Sequence, residues 1–151
     1  MGSVIVAAER PSFSSSYTLK SGKVDSKSSK GTVWMLSVTQ TDVAIEVTRV
    51  MDGQKNVNRY SLDGTEGTYT SPGGVPGKCK GQFKGKNLIL ESVVPTHPLP
   101  NGPALDVHTR ERWELSSDLK RLTIRNDVDV PQIPLNGYQV IEPWTEIYIR
   151  N

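Results

Sequence analysis

The chain has 151 residues and a formal net charge of +2, from 18 basic and 16 acidic residues. That length allows one domain with its own core. So small a net charge gives no field strong enough to indicate nucleic acid or a membrane surface as a partner. The single cysteine, Cys79, excludes an internal disulfide and a cysteine-based metal cluster. No stretch is apolar over the length that a membrane-spanning helix requires.

Residues 1–11 are interpreted as a flexible lead, either the remnant of a tag or the end of a trimmed export signal. Val4 to Ala8 is short, apolar and ends in small residues, as such a signal does, but the basic region that normally precedes it is missing. A first strand is the alternative interpretation of this stretch. Residues 12–151 are predicted to form one β-barrel domain.

Short runs in which apolar and polar residues alternate, the period of a half-buried strand, recur along the rest of the chain. The strands predicted from this alternation are residues 12–20, 32–40, 42–50, 55–62, 66–70, 78–84, 87–94, 108–115, 120–127 and 138–150. Asp-Gly pairs at 52–53 and 63–64 are strong turn signals between them. No segment repeats its apolar residues with the period of a helix, so almost no helix is expected.

The clearest hairpin lies within residues 108–127, where Glu111, Trp113 and Leu115 share one face before a turn at 116–119. Sequential hairpins of this kind form a meander, and a twisted meander tends to close because closure removes its exposed edges. We therefore predict an all-β fold, a single antiparallel up-and-down barrel of about 8–10 strands of the lipocalin or calycin type. A β-sandwich is the alternative.

Successive connections in a meander alternate between the two ends of the sheet. The connections predicted at one end are all short, namely 41–42, 63–65, 85–86 and 116–119. Those predicted at the other end are 21–31, 51–54, 71–77, 95–107 and 131–137, of which all but 51–54 are long. This sorting predicts a barrel with one tight end and a mouth ringed by loops, which either admit a small ligand or plug the opening.

Four segments of the chain resemble a family of small, mostly exported bacterial lipocalin-like domains. They are Tyr60–Gly64 (YSLDG), Pro72–Gly74 within a Gly-rich loop, Gly85–Ser92 (GKNLILES) and Glu111–Thr123 (ERWELSSDLKRLT). The resemblance covers most of residues 12–126 and implies a lipocalin-like barrel and an extracytoplasmic location, periplasmic or secreted. It implies no established activity. The chain departs from the family pattern at Asp118-Leu119, where Asp-Gly is usual, and in its longer Pro-rich loops at 95–107 and 127–138.

Aromatic and charged residues on the predicted strands are the candidates to line a cavity. They are Trp34, Arg59, Tyr60, Glu91, Glu111, Trp113, Trp144 and Tyr148. Core packing is the more common use of such aromatic residues. The two histidines, His97 and His108, have no ligand-spaced partner, so no metal site is predicted, and no cofactor motif is found.

Glu91 and Glu111 would form an acid–base pair if both faced the interior of the barrel. The arginines that could instead neutralise them across strands are Arg59, Arg110 and Arg112. The opposite strand phase, with Leu88 and Leu90 in the core, would place Glu91 in water.

Three functions are compatible with these patterns. The first is binding of a small apolar or amphipathic ligand inside the barrel, without a cofactor, a nucleic-acid partner or a membrane span. The second is a structural or interaction module whose barrel is filled with side chains. The third is a cofactor-free barrel enzyme, such as a cyclase or isomerase, which ranks last because no catalytic signature is present.

Overall fold

The computed structural model describes residues 10–22, 35–51, 53–97, 101–129 and 142–151, and all the regular structure in these ranges is β-strand. The strands are β1 (Ser15–Gly22), β2 (Met35–Gln40), β3 (Ala44–Met51), β4 (Gln54–Ser61), β5 (Gly67–Thr70), β6 (Pro76–Lys84), β7 (Asn87–Thr96), β8 (Leu105–Leu115), β9 (Arg121–Asp129) and β10 (Trp144–Arg150). Each corresponds to one predicted strand, and the all-β prediction is confirmed. Residues 1–9 lie outside the described residues, so the flexible lead and the export signal stay predictions.

The strands form a single antiparallel sheet in the order β4-β3-β2-β1-β10-β9-β8-β7-β6-β5. Every strand from β1 to β4 and from β5 to β10 pairs with its sequence neighbour, and β1 also pairs with β10 through Tyr17 opposite Arg150. The predicted meander is therefore present, and the pairing of the first strand with the last curls it into a nearly closed barrel. The two edges of the sheet, β4 and β5, face each other where the barrel closes.

Side chains take the place of a backbone ladder between β4 and β5. The amide of Asn58 accepts a hydrogen bond from the Thr70 backbone N–H at 2.9 Å and donates one to the Thr70 carbonyl at 2.9 Å. The thiol of Cys79 on β6 lies 3.4 Å from the carbonyl oxygens of both Arg59 and Thr68, so it also bridges the two edges. These contacts satisfy polar groups that an open sheet edge would leave exposed to other chains.

The predicted tight end of the barrel is confirmed. Short turns there join β2 to β3, β4 to β5, β6 to β7 and β8 to β9. Gly64 and Gly85 adopt positive φ angles of 83° and 62° in two of these turns, a conformation that glycine adopts without a steric penalty. The opposite end carries the connection between β5 and β6 and the predicted mouth loops, of which residues 23–34 and 130–141 lie outside the described residues.

The core fills the tight end of the barrel, since most fully buried side chains lie within a few residues of the short turns. Its buried members are Phe13, Tyr17, Leu36, Val38, Ile45, Val47, Tyr60, Leu62, Cys79, Leu88, Leu90, Trp113, Leu122, Ile124 and Tyr148. Phe13 precedes β1, is fully buried, and is held by a hydrogen bond from its N–H to Gln40 Oε1 at 2.9 Å. Its ring packs edge-on against Trp113 with the ring centroids 5.9 Å apart. The segment before β1 thus plugs the base of the barrel.

The backbone of Leu119, in the turn between β8 and β9, is in a strained conformation. This residue has a φ of 62°, and it is 47% exposed, so little packing compensates the left-handed conformation. We expect Leu119→Gly to raise the free energy of unfolding by about 0.5–1 kcal/mol, and Leu119→Ala, which keeps a Cβ, to change it by less than about 0.5 kcal/mol. Urea unfolding of the three proteins measures this, and a destabilised glycine variant would contradict the assignment of strain to the turn.

Candidate ligand-binding interior

Five of the eight candidate residues face the interior of the barrel. Tyr60, Glu111, Trp113 and Tyr148 are buried, and Trp144 is half-buried. Trp34 lies outside the described residues. The structure therefore brings together aromatic and charged side chains from β4, β8 and β10, as the alternation in those strands predicts.

The other two candidates, Arg59 and Glu91, lie on the outer face. Arg59 is exposed opposite Glu46, and Glu91 lies opposite Lys80 with its carboxylate 3.8 Å from the lysine ammonium. The phase of β7 decides the position of Glu91, because Leu88 and Leu90 bury their side chains in the core. Of the two strand phases left open by the sequence, the one with Leu88 and Leu90 in the core is confirmed, and a pair of interior carboxylates from Glu91 and Glu111 is not formed. An inward position for Arg59 is wrong.

The central feature of the interior is an ion pair between Arg49 on β3 and Glu111 on β8. The Arg49 guanidinium donates to Glu111 Oε1, and the two side chains are only 15% and 7% exposed. Four strands separate β3 from β8 in the sheet order, so the two residues project from opposite walls of the barrel. The ion pair therefore crosses the lumen and forms a polar layer above the packed apolar base.

Glu111 also receives a hydrogen bond from the indole Nε1 of Trp113 at 3.3 Å. A carboxylate that accepts two donors is held in one orientation, which is what a buried charge needs to offset its lost hydration. The arginines predicted as partners, Arg110 and Arg112, are exposed on the outer face instead. Arg49 on the opposite wall is the true partner, since only an inward-facing residue can reach the lumen.

The Arg49–Glu111 ion pair also shifts the pKa values of the ionisable side chains around it. Burial on its own lowers the pKa of Arg49, but the carboxylate of Glu111 outweighs it and holds this pKa well above the usual range. Burial and the negative charge of Glu111 raise the pKa of Tyr60 well above its ordinary value. Burial likewise raises the pKa of Tyr69. Arg49 is thus a permanent cation, and the tyrosines present neutral hydroxyl groups to the lumen.

A second carboxylate, Glu146 on β10, faces the interior and is half-buried. It accepts a hydrogen bond from Trp144 Nε1 at 3.1 Å and another from the Tyr148 hydroxyl at 2.8 Å. Burial, followed by the charge of Glu146, raises the pKa of Tyr148, so this hydroxyl stays protonated and donates. Within the described ranges, no lysine or arginine nitrogen lies within ion-pair distance of Glu146.

Sequence reasoning missed both Arg49 and Glu146, although the period-two pattern contained a signal for each. Arg49 continues the buried face of Ile45 and Val47, and Glu146 lies between Trp144 and Tyr148 on one face of β10. Charged residues at inward positions of a strand are exceptions to the alternation and therefore candidates for function.

A groove of about 630 Å³ lies on the outside of the barrel, across β6 to β9. One wall is a cross-strand row in which Lys80, Glu91, Arg110 and Asp127 stand in register. Neighbouring charges in this row are opposite in sign, so the row is close to neutral and solvated. This row makes one wall of the groove polar, while Val93, Val128 and Pro143 contribute apolar surface beside it.

The raised pKa values of the buried tyrosines predict a loss of stability in alkaline solution. Burial is the main cause at Tyr17, Tyr60, Tyr69 and Tyr148. The tyrosines of the unfolded chain ionise first, near the ordinary tyrosine pKa of about 10. Their contribution to the free energy of unfolding is therefore unchanged below that pH and falls above it. Burial also raises the pKa of Cys79 from 9.0 to about 11, which acts in the same direction.

Urea midpoints measured across the alkaline range, together with tyrosinate absorbance, test this pH dependence. Tyr148→Phe removes one of the shifted groups and should make the decline less steep. The prediction concerns four of the five tyrosines, so tyrosinate absorbance from more than one tyrosine while the protein is still folded would contradict it.

Solved structures with the same fold include a fatty acid transporter, a fatty-acid-binding protein and a heat soluble protein. The REP1-NXSQ fatty acid transporter superimposes with a TM-score of 0.62 at 11% identity, over 91% of this chain and 95% of the transporter. Fatty-acid-binding protein 1 of Echinococcus granulosus gives 0.62 at 9% identity, over 91% and 96% of the two chains. A secretary abundant heat soluble protein from Ramazzottius varieornatus gives 0.51 at 18% identity, over 78% and 70%.

The chain is therefore a nearly closed, ten-stranded antiparallel β-barrel that shares its fold with these solved structures. Identities this low show the fold alone. No protein-family model matches the chain, and no curated protein matches it.

Neither a metal-binding cluster nor a membrane-spanning helix is present in the part of the chain that the structure describes. It contains no group of three or more histidine, cysteine, aspartate or glutamate side chains placed to hold a metal ion. It also contains no helix long and apolar enough to cross a membrane.

Proposed function

We propose that the protein binds a small apolar or amphipathic ligand inside the barrel, with the polar end of the ligand among the polar groups above the packed base, which are the Arg49–Glu111 ion pair and Glu146. The observation that carries this proposal is the placement of this ion pair across the lumen. Below it the barrel is filled with apolar side chains, and above it lies the end of the barrel with the longer connections. A polar layer between an apolar base and an open end orients an amphipathic molecule.

The exposure of the inward-facing residues supports an interior that solvent reaches from the mouth. Side chains near the short turns, such as Leu88 and Leu122, have no exposed surface. By contrast, inward residues farther from those turns, such as Tyr69, Trp144 and Glu146, are partly exposed. A barrel filled along its whole length would bury these side chains as completely as those at its base.

The fold of the structural neighbours gives further support, because two of them are named for fatty acids. The acid–base function has less support, since Glu111 is engaged by Arg49 and Glu91 lies outside the barrel. A filled interaction module is the alternative that the experiment below distinguishes.

Titration with the neutral apolar dye N-phenyl-1-naphthylamine tests the proposed function. We expect saturable binding of one dye molecule per chain, with energy transfer from tryptophan. Trp144→Ala should weaken binding about tenfold, because this half-buried indole lies where the interior is accessible. Val57→Ala on the outer face, where Val57 is 51% exposed, is the matched control and should bind as the parent does.

Failure of the dye to bind, with the protein folded by circular dichroism, would contradict a ligand-binding interior. It would instead support a barrel whose interior is filled and whose function lies on its surface.

A further inference from the structure

The charges that face the interior are unevenly distributed along the barrel. Among the described residues, the inward-facing charged side chains are the guanidiniums of Arg49 and Arg150 and the carboxylates of Glu111 and Glu146. Arg150 lies at the base of the barrel opposite the buried Tyr17, donates to Ser15 and to the Ser14 carbonyl, and is four positions from Glu146 along β10. Arg49 is already neutralised by Glu111, so Glu146 gives the described interior above the base a net negative charge.

This arrangement disfavours a ligand with a carboxylate at its polar end. Such a group would have to share Arg49 with Glu111 while lying in the same interior as Glu146. Like charges in a partly desolvated site repel each other strongly, because little water remains to screen them. Displacing Glu111 would also leave a side chain that is only 7% exposed without its cationic partner.

The same arrangement favours a ligand with an ammonium group. Glu146 accepts one hydrogen bond at each of its two oxygens, from Tyr148 and from Trp144, and each oxygen keeps a lone pair for a further donor. These two donors fix the carboxylate in place before a ligand arrives. Both donors also belong to aromatic rings, whose faces attract cations.

We infer that the barrel selects an amphipathic amine, whose alkyl chain occupies the lumen and whose ammonium group is bound by Glu146 between Trp144 and Tyr148. This inference rests on the proposed function and specifies the class of ligand. An alkyl alcohol of equal length binds with intermediate affinity, since it donates one neutral hydrogen bond. A fatty acid of equal length binds weakest.

Displacement of bound N-phenyl-1-naphthylamine by dodecylamine, dodecanol and dodecanoate at neutral pH tests the inference. All three are used below the concentration at which they form micelles. We expect dodecylamine to bind about tenfold or more tightly than dodecanoate, as a charge-assisted hydrogen bond implies, with dodecanol between them. This comparison needs only the parent protein.

Glu146→Gln keeps the shape of the side chain but removes the charge. Its single amide oxygen can accept from the Trp144 indole, and its NH2 group can donate to the Tyr148 hydroxyl oxygen in place of the bond that Glu146 accepts there. It should weaken dodecylamine binding about tenfold and change dodecanol binding less than about twofold. Glu114→Gln on the outer face of β8 removes the same charge from an exposed position and is the matched control for net charge. It should leave all three affinities unchanged.

The outcomes separate the two proposals. If dodecanoate binds as tightly as dodecylamine, or if Glu146→Gln leaves dodecylamine binding unchanged, the inferred amine selectivity is overturned while ligand binding stands. If dodecanol binds as tightly as dodecylamine, the ammonium site is overturned as well. If the dye itself does not bind, the proposed function has failed, and the selectivity fails with it.

Discussion

Replacing Trp113 with alanine is expected to lower the free energy of unfolding by about 4 kcal/mol. Trp113 has no exposed surface, and its ring packs edge-on against Phe13 with the ring centroids 5.9 Å apart. Its indole N–H also donates to Glu111 at 3.3 Å. The substitution therefore opens a cavity at the base of the barrel and removes one of the donors that hold the carboxylate of the ion pair in place.

Urea unfolding of three variants separates the cavity from other effects. Trp113→Phe retains most of the buried surface and should cost less, about 1–2 kcal/mol. Val57→Ala, at an exposed position on the outer face, should change the free energy of unfolding by less than about 0.5 kcal/mol. A loss of less than about 2 kcal/mol in Trp113→Ala, with an unchanged slope against urea, would show that the base of the barrel is not closely packed.

The ion pair across the lumen predicts the second large effect. Glu111→Gln leaves the Arg49 guanidinium, which is 15% exposed, without its countercharge. It should lower the free energy of unfolding by about 3 kcal/mol. Arg49→Met leaves the Glu111 carboxylate, 7% exposed, in the same position and should cost a similar amount. The double variant leaves no unpaired charge in the interior. Its free energy of unfolding should therefore fall by about 2 kcal/mol less than the sum of the losses in the two single variants.

The outer pair of Lys80 and Glu91 provides a control for this double-mutant cycle. Its charged atoms are 3.8 Å apart, but the two side chains are 50% and 34% exposed. Water therefore screens the attraction, and the same cycle on this pair should give a coupling of less than about 1 kcal/mol. Equal coupling in the two cycles would mean that the Arg49–Glu111 layer is as hydrated as the outer surface.

The order and approximate positions of the strands were determined by local patterns in the sequence, but not their bounds. Segments 71–77 and 95–107 were predicted as loops, whereas β6 begins at Pro76, β7 ends at Thr96 and β8 begins at Leu105. Alternation alone located every strand. Successive residues of a strand face the core and water in turn, so apolar and polar residues alternate along the sequence. Turn chemistry placed the hairpins, as at Gly64 and Gly85. The turn at Leu119 is the exception, since the chain adopts a left-handed conformation there without a glycine.

The contents of the interior were predicted only in part. Glu111 and Trp113 were placed correctly, because the opposite face of β8 contains only polar and charged residues and so cannot compete for the core. For β7 the pattern was ambiguous, since Leu88, Ile89 and Leu90 are all buried, and the inward position of Leu90 sends Glu91 to the outer face. Charged residues at inward positions, such as Arg49, contradict simple alternation and were overlooked for that reason.

Tertiary structure alone decided which residues meet across the lumen and how the barrel closes. Arg49 and Glu111 are far apart in sequence and project from opposite walls, so no local period relates them. Asn58 joins the sheet edges through Thr70, a contact that depends on the curl of the whole sheet. Sequence patterns record whether a side chain faces water, which is a local property. The identity of its partner depends on the closure of the barrel, to which every strand contributes.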